Sequence, residues 1–435
     1  MKNIDHHRRA WLLFSLCFAL VCSLVSGVVE AKGKGGGKCE GTKKQRKQKM
    51  EPRDITDAQL QDMIAEYKKT LNAERELMNE SVVRRVIREY EAHQATGEPY
   101  VYDFLIISGG GQKGAFGAGF LQGWGEITSG PYVRPEFDMI TGVSTGALIS
   151  PFAFLGTDEA YASVVDFYAN PDPNWVKKRG MIKFLPSHIS MYNNCHLQDT
   201  IRSVVDLSMI EAMAKVAEED RLLLIGATNL DVGAGRVFDL GQACRQALEE
   251  GSSDRVASIL VASASIPGAF PPIEIDGMLY ADGGATSNLF LASFPGPDGA
   301  VARFRARKPD APLPKIRLWV IVNQQLRPKH AVTEPKWISI SGRALGTLTS
   351  TGQIFALAIL RDMVHEARVE RGADAELHLV SIPADAPQSK TSEMFDQEYM
   401  RALEDLGRKM GADPSSWTSK IPSAYRVEDD WLKTE

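Results

Sequence analysis

Two hydrophobic patterns alternate along the chain. From Thr56 to Gln94 charged residues dominate, and the apolar positions recur at helical spacing. In ITDAQLQDMIAEYKKTLNAERELM, Leu60, Met63, Ile64 and Tyr67 share a face; in SVVRRVIREYEAH, Val82, Val83, Val86 and Ile87 do. The pattern predicts two amphipathic helices whose apolar stripe packs on the main domain or, alternatively, takes a partner. After Tyr100, strand-like runs at 101–108, 136–142, 221–228, 236–240, 257–262, 316–323 and 376–382 alternate with helical patterns. The helical patterns cover 114–127, 145–155, 158–169, 196–217, 243–251, 340–370 and 393–411. Such alternation predicts an α/β fold, a sheet with helices on its faces. Asp276-Gly277 in IEIDGMLYADGG marks a hairpin turn. No period of about 20–50 residues repeats, which excludes a solenoid.

The first 31 residues follow neither pattern. MKNIDHHRR is a basic start, AWLLFSLCFALVCSLVSGVV is an uncharged apolar run, and VEA ends at Ala31 as a small-residue cleavage site, so residues 1–31 read as an export signal. The run from Ala10 to Val29 is 20 residues, enough for the alternative, an uncleaved membrane anchor. Val21 before Cys22 does not suit a lipoprotein signal. The body is expected outside the cytoplasm, whether periplasmic, secreted or membrane-anchored. Residues 32–55 are Gly- and Lys-rich and read as a flexible linker able to meet anionic headgroups. A helical extension over 56–100, the α/β domain over 101–390, and a C-terminal helix and tail over 391–435 complete the division.

Composition narrows the function classes. The chain has 435 residues, 44% hydrophobic and 24% charged, which fits one large or two ordinary globular domains and excludes global disorder. A net charge of −5 argues against a nucleic-acid binder driven by charge. Of five cysteines, Cys17 and Cys22 lie in the apolar run, while Cys39, Cys195 and Cys244 are scattered and give neither a disulfide framework nor metal-ligand spacing.

Candidate chemistry begins at DFLIISGGGQKGAFGAGFLQGW, where a strand hands over to a helix through Gly109, Gly110, Gly111, Gly114 and Gly117. Glycine weakens both kinds of element, so its repetition signals unusual backbone conformation or close approach by another group. Downstream, Gly142-Val143-Ser144-Thr145-Gly146 is a G-x-S-x-G between strand-like FDMIT and the apolar helix ALISPFAFLG. Strand, tight turn and helix form the setting of a nucleophile elbow. The following helix aims its N-terminus at the site and favours negative charge there. A chance G-x-S-x-G arises in about one chain in ten of this length, so the setting carries much of the weight.

A serine needs a base. Of the later histidines, His378 lies in the strand-like AELHLVSI and His365 in a long helical pattern, while His188, His196 and His330 sit in undecided context. None stands in an evident loop motif, so each reads as structural. Asp282 follows a short strand, and Gly283-Gly284 leave its carboxylate unobstructed. It reads either as a catalytic base or as ordinary turn chemistry.

Taken together these segments resemble the patatin-like lipid acyl hydrolases. Their Gly-rich loop corresponds to Gly109-Gly110-Gly111-Gln112-Lys113-Gly114, their serine motif to Gly142–Gly146, and their Asp-Gly-Gly or Asp-Gly-Ala to Asp282-Gly283-Gly284; ASASIPGAFPP also looks like the segment before the aspartate. The resemblance covers about 102–290. It implies a three-layer α/β/α fold with a mainly parallel central sheet, and a Ser144–Asp282 dyad without histidine. It further implies an oxyanion hole from Gly109, Gly110, Gly111 and Gly114, no cofactor and no metal. The implied substrate is a phospholipid or other acyl-ester lipid met at a membrane surface. Lys113 stands where many members carry arginine, keeping the charge without the planar fork. Against this, strand then G-x-G-x-x-G then helix also fits a dinucleotide fingerprint, but the next strand ends in Gly-Val-Ser where that reading needs an acidic residue. A P-loop fails because Ala115-Phe116 occupy the Lys-Ser/Thr positions. A non-catalytic lipid-binding or interaction protein on the same fold, and an acyltransferase, remain as alternatives.

Overall fold

The computed structural model describes residues 38–40, 47–49, 53–94, 100–178, 189–292, 298–327, 330–369, 372–391 and 393–422. The export signal or anchor over 1–31, most of the linker, His188 and the end of the tail lie outside these residues. Helix α1 (Asp57–Gln94) is one helix of 38 residues where the sequence predicts two. No glycine or proline interrupts it, so nothing forces a break. It opens on a capping box: Thr56 Oγ1 accepts from the Gln59 N–H at 3.3 Å, and Gln59 Oε1 accepts from the Thr56 N–H at 2.9 Å.

A central eight-stranded sheet follows. Its parallel part runs in the order β8 (Ala375–Ser381), β7 (Lys315–Val322), β1 (Val101–Ile107), β2 (Met139–Val143), β3 (Leu222–Asn229). Then β4 (Ala234–Asp239) and β6 (Met278–Asp282) pair antiparallel with β3, and β5 (Ile273–Ile275) with β6. Every residue of β2 and β3 is buried, which is why these strands read as continuous apolar runs rather than alternating ones. The hairpin between β5 and β6 turns at Asp276 and Gly277, both at positive φ.

Helices cover both faces. One face holds α2 (Gly114–Trp124), α3 (Thr145–Leu155), α4 (Asp158–Ala169), α5 (Cys195–Val204), α6 (Leu207–Ala217), α7 (Leu240–Glu250), α8 (Asp254–Ser263) and, later in the chain, α11 (Gln397–Gly411). Phe116, Phe120, Trp124 and Trp319 are fully buried there. Helices α2 and α11 approach through glycine, since a Cβ at Gly119 would overlap the backbone of Glu404 and one at Gly407 the carbonyl of Phe116. On the other face lie α1, α9 (Ala300–Arg307) and α10 (Trp337–Val369), against Tyr102, Ile106, Leu318 and Val320. The layers are therefore helix, mostly parallel sheet, helix.

Two expectations need correction. The run 257–262 is not a strand but part of α8. A short buried apolar run carries no period that separates the two, and here it packs apolar on all sides. The pattern 196–217 is two helices, because Asp206 caps a new one by accepting from the Met209 N–H at 2.9 Å.

Salt bridges fasten α1 to the body along its length. Arg236 takes Glu74 at 2.5 Å, Arg307 takes Glu80 at 2.8 Å, Lys308 takes Glu91 at 2.7 Å, and Arg84 and Arg88 both hold Asp220 at 2.7 Å. The deepest pair is Arg85 with Asp138 at 2.8 Å, where burial pushes the carboxyl up to about 6 despite the guanidinium. Removing one member of a buried pair leaves the other unsatisfied. Arg85→Ala is expected to cost about 3 kcal/mol in chemical denaturation, and an unchanged denaturation midpoint would refute the role of the pair.

No helix among the described residues is long and apolar enough to cross a membrane.

Candidate active site

Ser144 occupies the turn between β2 and α3 at φ 54°, ψ −122°, a conformation side chains rarely adopt. The flanking glycines are required by space. A Cβ at Gly142 would overlap Ser150 Oγ, and one at Gly146 the carbonyl of Ile107. The Ser144 N–H donates to Ser263 Oγ at 2.9 Å, and Ser263 donates onward to the Gly226 carbonyl at 2.6 Å, pinning the elbow to β3.

Sheet register brings the aspartate to the serine. Strand β2 ends with Val143 opposite Gly226, and β6 ends with Asp282 opposite Ala227. Strand β4 takes the other edge of β3, so β2 and β6 run along the same edge in opposite directions and meet end to end. Ser144 and Asp282, at the two ends, become neighbours although 138 positions separate them (282 − 144).

The Ser144 hydroxyl lies near enough to the Asp282 carboxyl to favour its ionised form. The Gly284 N–H donates to Asp282 Oδ1 at 2.7 Å. Burial nevertheless dominates and pushes the carboxyl up to about 6, with the Ser144 and Gly284 bonds opposing. No histidine among the described residues acts on either group. His378 stacks on Trp319 with ring centroids 4.1 Å apart and bonds Glu376 at 3.1 Å, three strands from β2.

The glycine loop after β1 lies beside Ser144. A Cβ at Gly109 would sit 3.1 Å from that of Ser144, and one at Gly114 would overlap Thr145 Oγ1. Gly111 takes φ +59°. The N–H groups of the four candidate glycines differ in their commitments. That of Gly109 donates to the Asn288 carbonyl at 3.1 Å, and that of Gly114 to the Gln112 and Gly111 carbonyls. Those of Gly110 and Gly111 have no acceptor among the described residues, nor does that of Thr145 in the first turn of α3. Burial lowers the pKa of Lys113 in the same loop.

Several supporting residues were not singled out by sequence. Asn288 Nδ2 donates to Gln353 Oε1 of α10 at 2.7 Å, tying that helix to the glycine loop. Asn323, just past β7, donates from Nδ2 to the Ser108 carbonyl at 2.9 Å and from its backbone N–H to Ser108 Oγ at 2.9 Å. Polar residues immediately after a parallel strand, on the edge where the nucleophile stands, are the signal that marks Asn323; Ser263 and Asn288 offer none. The cysteine reading also changes. Cys195 is disulfide-bonded, and Cys244 is free and buried.

A strained serine after a parallel strand thus stands beside a buried carboxyl group and backbone N–H groups without an acceptor among the described residues, on an α/β/α sheet. Residues 105–294 match the family model of patatin-like phospholipases. The family is one of lipid acyl hydrolases in general. Among solved structures, VipD from Legionella pneumophila matches with 11% identity and a TM-score of 0.33, over 74% of this chain and 68% of that one. No curated protein matches the chain.

Proposed function

We propose that the chain is a serine lipid acyl hydrolase, of phospholipase A or lysophospholipase type, working through an acyl-Ser144 intermediate. The observation that carries this reading is the sheet register that sets the strained Ser144 turn against the buried Asp282; burial also pushes the Asp282 carboxyl up to about 6. Asp282 takes the Oγ proton as Oγ bonds to the ester carbonyl carbon. The resulting oxyanion is received by the N–H groups of Gly110, Gly111 and Thr145, for which no acceptor among the described residues competes. Collapse breaks the bond to the leaving alcohol, which takes the proton from Asp282. Water, deprotonated by Asp282, then attacks the acyl carbon and releases the fatty acid, returning the proton to Ser144 Oγ. The test is fatty-acid release from phospholipid vesicles, paired with labelling by a fluorophosphonate. Release together with labelling at Ser144 supports the reading; a folded protein that does neither supports the non-catalytic alternative.

The approach to lipid follows from α10. Trp337, Ile340, Leu345, Leu348, Phe355 and Ile359 are exposed and fall within an arc of about 140° on the helix. The opposite side, with Ile354, Leu357 and Leu360, is buried on the sheet. An exposed apolar stripe of this length fits a lipid surface, and Gln353 connects the same helix to Asn288 beside the dyad. Leu345→Glu with Leu348→Glu is expected to lower vesicle hydrolysis about tenfold or more while sparing a soluble short-chain ester. An equal loss on both substrates would sink the interfacial role. Export or anchoring by the N-terminal apolar run completes the proposal, and the disulfide at Cys195 supports an oxidising compartment.

A further inference from the structure

A second cavity lies far from the dyad. It has a volume of about 490 Å³ and sits between α1, α9, the end of α10 and the sheet. Its sheet wall comprises Tyr102, Phe104, Met139, Ile316, Leu318 and Ala375, all in the N-terminal halves of parallel strands, whereas Ser144 follows the C-terminal end of β2. From Met139 to Ser144 the strand spans about 16 Å. Neither dyad residue nor any glycine of the loop lines the cavity.

Packed interiors rarely leave voids much larger than a water molecule, and about 300–1,000 Å³ is the range of small-molecule sites. This space persists although the helix above it is firmly held. Ion pairs from Glu80 to Arg303 and Arg307, and from Arg88 to Asp220, fasten α1 on both sides of Val82, Val83 and Val86, which line the cavity.

Two residues of the lining carry an unpaired polar atom. Asn79 Oδ1 and Tyr102 Oη are buried, and neither has a hydrogen-bond partner among the described residues. Asn79 is 3% exposed and Tyr102 3%. Burial keeps the Tyr102 phenol protonated, so Oη is a donor, while Oδ1 is an acceptor. A ligand hydroxyl can accept from a phenol or donate to an amide oxygen. Among the described residues the lining includes no lysine or arginine, and its one charged residue is Glu366, so none of them offers an anionic head a counter-charge.

We propose that this cavity is a separate binding site for a neutral long-chain lipid with a hydroxyl head, a fatty alcohol or a monoacylglycerol, its chain lying against Val83, Phe304 and Leu318. The site is distinct from catalysis and is tested on full-length Ser144→Ala protein, so the outcome does not depend on turnover. Isothermal titration with 1-dodecanol, 1-dodecanoylglycerol and dodecanoate at pH 8 is expected to give saturable binding of at least one hydroxyl lipid, at least tenfold tighter than dodecanoate. The tighter of the two neutral lipids identifies the source of the hydroxyl. Asn79→Leu is expected to weaken that binding by about five- to tenfold, the worth of one hydrogen bond. Ala367→Phe and Ala300→Phe, which fill the space from opposite walls, are each expected to weaken it at least tenfold with unchanged circular dichroism; if one does not fold, the other answers. Absence of saturable binding, dodecanoate binding as tightly as the neutral lipids, or full affinity in a folded filled variant would overturn the assignment.

Discussion

Ser144→Ala is expected to lower kcat/KM on phospholipid by about 10⁴–10⁶-fold and to abolish fluorophosphonate labelling, with the fold intact. A nucleophile that works as a unit with its base carries most of the covalent pathway, so its loss costs nearly as much as loss of the whole set. What remains comes from binding and from the open N–H groups of the glycine loop. The elbow geometry supplies a second readout. Ser144 stands at φ 54°, which alanine tolerates no better than serine, whereas glycine adopts it freely. Ser144→Gly should therefore be equally inactive yet about 1 kcal/mol more stable than Ser144→Ala. Activity surviving in both variants would remove Ser144 from the mechanism. Stability equal in the two would instead show that the turn stores no strain, which leaves the nucleophile assignment standing on the kinetics.

Local chemistry made the serine legible in sequence. Gly142, Gly146 and the strand before them are forced by what lies within a few residues, so G-x-S-x-G and its setting carry their meaning in the chain itself. The parallel sheet was legible for a related reason, since doubly covered strands such as 222–229 must be apolar throughout. The partner of the serine was harder to see. Asp282 gains its place because β6 runs against β3 up to the point where β2 stops, a fact of register that no local pattern encodes. Its short strand and the glycines after it left two readings open, catalytic base or turn, and the resemblance to a family chose between them. The glycine loop was legible as a loop, but not which N–H groups remain open: that depends on Asn288, six positions beyond Asp282, capturing the one at Gly109. Helix α8 was misread because ASILVAS is buried on every side and shows no period of either kind. The single α1 was misread for the opposite reason, a weak apolar stripe held mainly by ion pairs to distant residues.

Asp282→Asn should be nearly inactive and, at neutral pH, more stable than the wild type. The activity loss, about 10³–10⁵-fold, follows from replacing the base with a group that cannot take the Ser144 proton. The stability gain follows from burial, which pushes the carboxyl up to about 6 from an ordinary value of 3.8. Below that ordinary value both folded and unfolded chains carry the proton, and the aspartate costs nothing. Between about 4 and 6 the unfolded chain ionises while the folded one stays protonated, so stability falls as pH rises. Above 6 the folded protein bears a buried negative charge and the full penalty is present. A shift of this size corresponds to at most about 3 kcal/mol, and loss of the charge-assisted bond from Gly284 reduces the gain, leaving about 1–3 kcal/mol. The difference between wild type and Asp282→Asn should thus be near zero at pH 3, grow through pH 5 and level off above 6; subtraction removes the parallel contribution of Asp138, also raised to about 6. Wild-type kcat/KM should climb about tenfold per pH unit below 6 and flatten above it, because only the ionised carboxylate accepts the proton. Urea melts at four pH values, with the kinetic profile beside them, test both statements. A variant less stable than wild type at pH 8 would mean that Asp282 is held by interactions stronger than its desolvation, and a flat kinetic profile across pH 5–7 would mean that the base is another group.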